Sequence, residues 1–210
     1  MSILDPIRRV QRLREADRRR ETWDQGIGRL PPGQVLTQKF PVLHYGHIPH
    51  INLSDWSFEA WGLVKQPINL DWEAFNTLPQ TTVTADVHCV TRWSKFDTTW
   101  TGVAGKDILN LIEPRPEATH VMVHAYGGYT ANLPIGALRD EDVVFATCYD
   151  GRPLPREHGW PMRLVVPKRY FWKSAKWCRG LEFMPRDRRG FWEIYGYHND
   201  GDPWKEERLG

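Results

Sequence analysis

The sequence predicts a mixed, strand-rich α+β fold, and three observations support this class. Short apolar runs bounded by turn residues recur along most of the chain, as in β-strands. Brief helical patterns interrupt these runs without the regular alternation of strand and helix that a doubly wound parallel sheet requires. Hydrophobic residues make up 40% and charged residues 26% of the 210 positions, which is typical of a folded globular chain. We expect a single domain over residues 26–210, preceded by a helical N-terminal segment over residues 1–25.

The first predicted element is a helix over residues 6–23. Asp5 can accept hydrogen bonds as the N-cap, and Pro6 suits the first helical position because its missing N–H would have no partner there. The apolar stripe of this helix is thin and consists of Ile7, Val10 and Leu13. Its basic face could serve as a docking surface, but a solvated helix on the body of the protein is the simpler interpretation, and we assign it no function.

The segment over residues 26–49 is rich in Gly and Pro and predicts an extended loop. Its aromatic and imidazole side chains are of the kind that often line sites, and they are Phe40, His44, Tyr45 and His47. Strands are predicted after this loop over residues 58–64, 82–89, 120–125, 129–133, 143–149, 162–166 and 176–183. Helical patterns cover residues 71–76, 106–112 and 135–140.

Charge and composition argue against several classes of protein. The net charge is only +2 although 28 residues are basic, so no global field favours nucleic acid, and we expect no nucleic-acid partner. No run approaches the ~18 apolar residues of a membrane helix. The basic N-terminus lacks the apolar stretch of an export signal, and the three widely spaced Cys form neither a disulfide framework nor a CxxC zinc site. We therefore predict a cytoplasmic protein with reduced thiols.

Cys89 is the first residue that could carry chemistry. It ends an apolar strand and is followed by the polar and aromatic turn Val90-Thr91-Arg92-Trp93. A buried structural Cys is one interpretation, since free Cys is among the most buried residue types. Neighbouring positive charge from His88 and Arg92 would instead favour the thiolate, which is a nucleophile and a ligand for thiophilic metals.

A basic stretch over residues 158–176 could bind a phosphate. A Ser174 hydroxyl between two lysines adds to the cationic donors, which are Arg163, Lys168, Arg169, Lys173 and Lys176. A basic surface loop explains the same residues equally well, because neither a Walker P-loop nor a GxGxxG accompanies them.

Together, the segments around Cys89, His158 to Arg163, and Lys173 to Trp177 resemble the sulfite oxidase superfamily of molybdopterin oxidoreductases, in particular its short bacterial members. The resemblance extends from about Phe40 to the C-terminus. Its most specific part is the stretch over residues 150–167, DGRPLPREHGWPMRLVVP.

This resemblance implies the sulfite-oxidase-type fold and a molybdenum–molybdopterin cofactor, with the metal bound by the thiolate of Cys89. The cofactor's dithiolene would supply two further sulfur ligands. The residues that the resemblance places against the pterin or its phosphate are His44, Tyr45, Ala125, His158, Arg163, Ser174, Ala175 and Lys176.

Departures from the family pattern leave the substrate open. Sulfite oxidases have an Arg where this chain has Leu43, and a Tyr near the metal where it has Thr147. The Trp at position 93 is more similar to the catalytic subunit of the bacterial methionine-sulfoxide reductase. We take His88 and Arg92 as candidates for orienting a small polar or anionic substrate. Trp93 and Trp100 are candidates for the pocket wall. A purely structural role is equally open for all four residues.

The resemblance implies transfer of an oxygen atom and two electrons to or from a small-molecule substrate. The chain has no CxxCH haem motif and no iron–sulfur Cys cluster, so a separate electron-transfer partner is expected. Two alternatives remain at this point. One is a non-catalytic module that binds phosphate or nucleic acid, and the other is an inactive protein that only binds the pterin cofactor.

Overall fold

The computed structural model describes residues 6–18 and 28–210, and the strands in this part of the chain form two sheets. The strands are β1 (Val35–Leu36), β2 (Ser57–Gly62), β3 (Ile68–Asp71), β4 (Gln80–His88), β5 (Trp93–Ala104), β6 (His120–Ala125), β7 (Thr130–Pro134), β8 (Val144–Tyr149), β9 (Arg152–Pro153), β10 (Arg163–Val165) and β11 (Cys178–Met184). The α-helices are α1 (Pro6–Arg18), α2 (Trp72–Thr77), α3 (Gly105–Ile112) and α4 (Phe191–Ile194). The predicted α+β class is confirmed.

The first sheet is built around the long strand β5. Strand β4 pairs antiparallel with one edge of β5, while the two-residue β1 and the longer β8 pair with different parts of the strand. Strands β9 and β10 extend the sheet from β8. The second sheet has the order β3-β2-β11-β6-β7, and β2 and β11 are its parallel pair.

The main core contains side chains from both sheets. Phe58 of β2 meets Phe145 of β8 edge to face at 5.3 Å between ring centres, and both are fully buried. Close packing continues within the first sheet at Gly102 of β5, where a Cβ atom would lie 2.0 Å from the carbonyl oxygen of Phe145. Only glycine allows the backbones of β5 and β8 this approach.

All seven predicted strands coincide with observed strands, but four observed strands were not predicted: the short β1, β3 and β9, and the long β5. Its first residue, Trp93, was predicted to belong to a turn after Cys89. Polar β-branched residues dominate the middle of β5, where Thr98, Thr99 and Thr101 surround the buried Trp100, so no apolar run marks the strand. Threonine nevertheless favours strands because its branched side chain fits the pleated surface.

The predicted helices are found with small differences in extent. Asp71 caps α2 by accepting a hydrogen bond from the Ala74 N–H at 2.8 Å, which explains the start of that helix. The predicted helix over residues 135–140 is a 3-10 helix over Ile135–Arg139. Helix α1 is described only to Arg18, and the predicted remainder to residue 23 lies outside the described residues, as does the N-cap Asp5. The division into segments 1–25 and 26–210 stays a prediction.

Helix α1 docks through its thin apolar stripe. Val10 and Leu13 are buried in a small cluster with Trp192 and Tyr197 of the C-terminal segment, whereas Ile7 is exposed. The predicted loop after this helix is irregular from residue 28 to 49 apart from the two residues of β1. In the described part of the chain, no helix is both long and apolar enough to cross a membrane.

Candidate active site

A cavity of about 420 Å³ lies where several connecting segments meet. Its walls come from α1, the loop over residues 40–49, the end of β4, residues 126–129, the segment 163–177 and the C-terminal residues 192–197. Most of these segments are loops, which are held in place by the two sheets. A concave site built from loops on a rigid scaffold is the usual form of an active site.

Cys89 lies in the wall of this cavity, directly after β4. A tight turn follows it, in which the Arg92 N–H donates to the Cys89 carbonyl at 2.9 Å and Arg92 has a φ of 71°. The Gln34 side chain donates to the same carbonyl at 3.0 Å. The turn and Gln34 fix the backbone, so the thiol is presented to the cavity in a defined position.

The surroundings of the Cys89 thiol act on its charge in opposite directions. Burial raises the pKa of the thiol, while the Thr91 hydroxyl at 3.1 Å and the positive charges of Arg9 and Lys176 lower it. A buried thiol would stay protonated without a cationic partner. A metal cation would shift the balance to the thiolate, because a coordinating thiol is deprotonated.

Arg163 is the most deeply buried cation of the site, with 1% of its surface exposed. Its guanidinium donates to the carbonyls of His158 at 3.0 Å and Ser174 at 2.9 Å, and packs 4.3 Å from the ring centre of Phe171. Burial lowers its pKa from the usual 12.5 to about 9. These contacts fix the position of the guanidinium, and no carboxylate of the described residues pairs with it. An anionic ligand would therefore compensate the solvation that the Arg163 charge loses on burial.

Lys176 and Ser174 stand beside Arg163 in the cavity wall. The Lys176 ammonium donates to the Glu157 carbonyl at 2.5 Å, and the Ser174 hydroxyl accepts from the Val166 N–H at 2.9 Å. Burial, followed by repulsion from Arg163, lowers the pKa of Lys176 to about 7. The basic surface loop considered from the sequence is therefore wrong for these residues, although Lys168 is exposed and paired with Asp140.

Two histidines at the cavity, His158 and His44, have lowered pKa values. His158 stacks on Phe40 at 3.9 Å between ring centres, and burial together with the charges of Lys176 and Arg163 lowers its pKa to about 4. Its Nδ1 atom is buried with no hydrogen-bond partner in the described part of the chain. His44 lines the cavity, and burial together with the charge of Lys176 lowers its pKa.

The lining residues together favour an anionic ligand. Arg9, Arg163 and Lys176 contribute positive charge, and none of the described lining residues is an Asp or a Glu. Buried charges are normally paired or neutralised, so an uncompensated cationic cavity indicates that its partner is a ligand. Aromatic walls beside these cations suit a planar ring system that carries a phosphate. The residues present therefore fit a pterin cofactor with a phosphate group.

The structure brings some predicted site residues to the cavity and leaves others outside. Those that line it are Cys89, His44, Tyr45, Arg163, Ser174 and Lys176. The others are near neighbours. His158 stands behind Phe40, Ala175 is buried between two lining residues, and Ala125 precedes the lining residue Tyr126.

His88 and Arg92 are placed differently from the prediction that they orient a substrate, since neither lines the cavity. His88 is buried with Nδ1 at 2.8 Å from the Ser94 hydroxyl, and burial lowers its pKa to about 4. The Arg92 guanidinium donates to the Gly33 carbonyl at 3.3 Å. Alternate residues of a strand point to opposite faces, so His88 turns away when its neighbour Cys89 faces the cavity. Trp93, in contrast, does line the cavity.

Other lining residues were not found from the sequence. Arg9 and Tyr197 come from the two ends of the chain. Tyr129 comes from a predicted strand, and Phe171 from the basic stretch 158–176, where it was assigned no role. The aromatic C-terminal stretch was a usable signal, because its density of Trp and Tyr is unusual for a surface tail. Arg9 gave no signal, since it is one of many arginines on the first helix.

Comparison with known families decides the assignment. The family described as "Oxidoreductase molybdopterin binding domain" matches residues 45–192, which include Cys89 and the segment 158–177. The chain belongs to this family. The resemblance to sulfite-oxidase-type enzymes and the prediction of a molybdenum–molybdopterin cofactor are thereby confirmed, and the protein is a molybdopterin-binding oxidoreductase.

Several known proteins are similar to this oxidoreductase in sequence or in structure. The chain is 43% identical to the uncharacterized oxidoreductase YuiH of Bacillus subtilis over 183 residues, 87% of this chain and 92% of the relative. It is 25% identical over 170 residues to the putative protein-methionine-sulfoxide reductase subunit YedZ1 of Azospira oryzae, 80% of this chain and 64% of the relative. The sulfane dehydrogenase SoxCD of Paracoccus pantotrophus matches in structure with a TM-score of 0.62 and 23% identity, over 68% of this chain and 41% of that chain. The last two matches span less than two thirds of the longer proteins.

Proposed function

We propose that this oxidoreductase transfers an oxygen atom and two electrons between water and a small substrate, with Cys89 as the protein ligand of molybdenum. The observation that supports this best is the position of Cys89, which lines a cationic cavity without a carboxylate among its described lining residues. The bound cofactor supplies the redox chemistry. The overall reaction is substrate plus water giving oxygenated substrate, two protons and two electrons, or its reverse.

In this proposal, the chain's own residues hold and orient the cofactor. Arg163 and Lys176 compensate its phosphate charge, and the Ser174 hydroxyl and the Ala175 backbone complete that part of the site. His158 and His44 are neutral near pH 7 and can accept or donate hydrogen bonds at the edge of a pterin ring. Tyr45 and the backbone near Ala125 provide further contacts.

The direct test is to replace Cys89 with Ser and to examine molybdenum itself. Protein from a host that makes the cofactor is analysed for molybdenum by mass spectrometry and for pterin by the fluorescence of its oxidised derivative. X-ray absorption at the molybdenum edge then counts the sulfur ligands. We expect one sulfur fewer in Cys89→Ser than in the wild type, together with loss of turnover of a sulfoxide or sulfite with artificial electron carriers.

The matched control is Cys148→Ser, because Cys148 is also a free cysteine but does not line the cavity. It should keep the wild-type sulfur count and activity. An unchanged sulfur count in Cys89→Ser contradicts the ligand assignment. Absence of both molybdenum and pterin from the wild type contradicts the proposed activity and favours a module that binds other phosphorylated ligands.

We further propose that electrons reach the site from a separate partner protein or a diffusible carrier, since the chain has no motif for a second redox group. A reducing compartment such as the cytoplasm is part of this proposal. Its support is that Cys89, Cys148 and Cys178 are all free. Reduction of the molybdenum by an artificial carrier, followed spectroscopically, tests whether an external donor can reach it.

A further inference from the structure

Helix α1 contributes one charged residue to the cavity. Arg9 lines the cavity, and its guanidinium carbon lies 5.1 Å from the ring centre of Trp192. The buried side chains of Val10 and Leu13 seat the helix on the same aromatic cluster. Cation–π contact and docking of the helix together fix where the positive charge stands.

Tyr197 lines the cavity beside Arg9. Its ring stacks on Trp192 at 4.9 Å between ring centres and is 3% exposed. The phenolic hydroxyl is buried beside the Arg9 guanidinium, which can donate to its oxygen, while the hydroxyl proton has no acceptor in the described part of the chain. A buried donor without an acceptor costs free energy, so a ligand that accepts this hydrogen bond would remove that cost.

Arg9 and Tyr197 are close to the Cys89 thiol but belong to other segments than the proposed cofactor residues. Cys89 and Tyr197 pack in the same buried cluster, and Arg9 lines the same cavity, which Lys176 reaches from the segment 163–177. Arg163, Ser174 and Lys176 thus form one polar group of the cavity, and Arg9 with Tyr197 forms a second. Both members of this second group lie outside the matched residues 45–192.

We propose that Arg9 and Tyr197 bind a small oxyanion as substrate beside Cys89. This inference rests on the proposed function, which assigns the other cations to the cofactor. A guanidinium offers parallel N–H donors to two oxygens of an oxyanion, and a phenol adds a third donor. The neutral aromatic wall excludes water around these donors and strengthens their interaction with the anion.

The experiment measures binding of inorganic sulfate, a redox-inert probe, to the cofactor-loaded protein by calorimetry. The variants are Arg9→Gln, Arg9→Lys, Tyr197→Phe and the control Arg12→Gln, whose side chain is exposed on the same helix. Molybdenum and pterin contents are measured on each preparation. We expect sulfate affinity to fall at least tenfold in Arg9→Gln and about threefold in Tyr197→Phe, with partial recovery in Arg9→Lys and no change in Arg12→Gln.

Three outcomes overturn the inference while leaving the proposed function standing. They are wild-type sulfate affinity in Arg9→Gln, loss of molybdenum and pterin from Arg9→Gln, and no sulfate binding by the loaded wild type. The second of these would show that Arg9 holds the cofactor instead of the substrate. The proposed function fails by a different result, which is a wild-type protein that contains neither molybdenum nor pterin. That result overturns the inference as well.

Discussion

Lys176 shows how a single residue couples folding to ligand binding. Its ammonium is held against the Glu157 carbonyl, and its pKa of about 7 leaves it half protonated at neutral pH in the cofactor-free protein. The group loses solvation on folding and gains no carboxylate partner among the described residues. A bound phosphate would supply that partner and draw the residue fully into its charged form.

We predict that Lys176→Ala lowers the retention of the cofactor several-fold, because a charge-assisted contact to its phosphate is lost. Molybdenum and pterin per protein after extended dialysis measure the effect. Lys168→Ala is the control, since Lys168 is an exposed cation that pairs with Asp140 at 3.1 Å. Normal cofactor content in Lys176→Ala would contradict the phosphate role.

His158 predicts a pH dependence of stability in the cofactor-free protein. Its pKa is about 4 when folded and about 6.5 when unfolded, so between these values only the unfolded chain takes up the proton. The free energy of unfolding therefore falls as the pH falls from 6.5 to 4. The contribution of one such residue is at most about 1.4 kcal/mol per pH unit.

His158→Phe should reduce this slope, because the ring stack on Phe40 is kept and the titrating group is removed. Urea unfolding at pH 7 and pH 5 measures the two slopes. His88 titrates in the same range and leaves part of the slope in place. Equal slopes in His158→Phe and the wild type would contradict a neutral, buried His158.

The segment 163–177, which carries the residues proposed to bind the cofactor's phosphate, is held in place by a buried network of polar side chains. Lys173 and Glu193 of α4 form an ion pair at 2.7 Å, and each side chain is 1% exposed. Lys173 also donates to the carbonyl and side-chain oxygens of Asn132 at 2.9 Å, and the Trp172 indole N–H donates to Glu193 at 2.7 Å. The segment before Ser174 is thus tied both to α4 and to β7.

We predict that Lys173→Met destabilises the protein by about 3–5 kcal/mol, because Glu193 is left charged and buried without its partner. The double variant Lys173→Met with Glu193→Gln should recover a large part of this loss, since no unpaired buried charge remains. Chemical unfolding of both single variants and the double variant gives the coupling energy. Additive losses would show that the two residues do not act as a pair.

At the scale of the whole molecule, the cationic cavity makes the cofactor part of the fold. Protein without the cofactor keeps Arg163 and Lys176 in the cavity wall, and neither of them forms an ion pair with a carboxylate of the described residues. A ligand that binds only the folded state stabilises it by RT ln(1 + [L]/Kd), about 4 kcal/mol at a thousandfold excess over Kd.

Protein expressed in a host unable to make molybdopterin should therefore unfold at a clearly lower temperature than the loaded protein. Added phosphate should raise that temperature more than chloride at equal ionic strength, since only the former can bridge the buried donors. Differential scanning fluorimetry with the intrinsic Trp signal measures both effects. Equal unfolding temperatures with and without cofactor would contradict a binding site in the cavity.

The sequence by itself determined the fold class and seven strands, because apolar runs bounded by turn residues report burial locally. It missed β5, where polar threonines conceal a strand that is buried on only part of its surface. The resemblance of a long stretch before Lys176 identified the cofactor, and the phosphate-binding prediction followed from residues that are near neighbours in the chain. The order of residues within one stretch of the chain was sufficient for both of these predictions.

Only the tertiary structure decided which of these residues meet. It separated His88 from Cys89 although they are adjacent, because neighbouring residues of a strand face opposite sides. It joined Arg9 and Tyr197, which lie at opposite ends of the chain, through helix docking on an aromatic cluster. Such contacts depend on packing between distant segments, and no local pattern of residues encodes the position at which two segments touch.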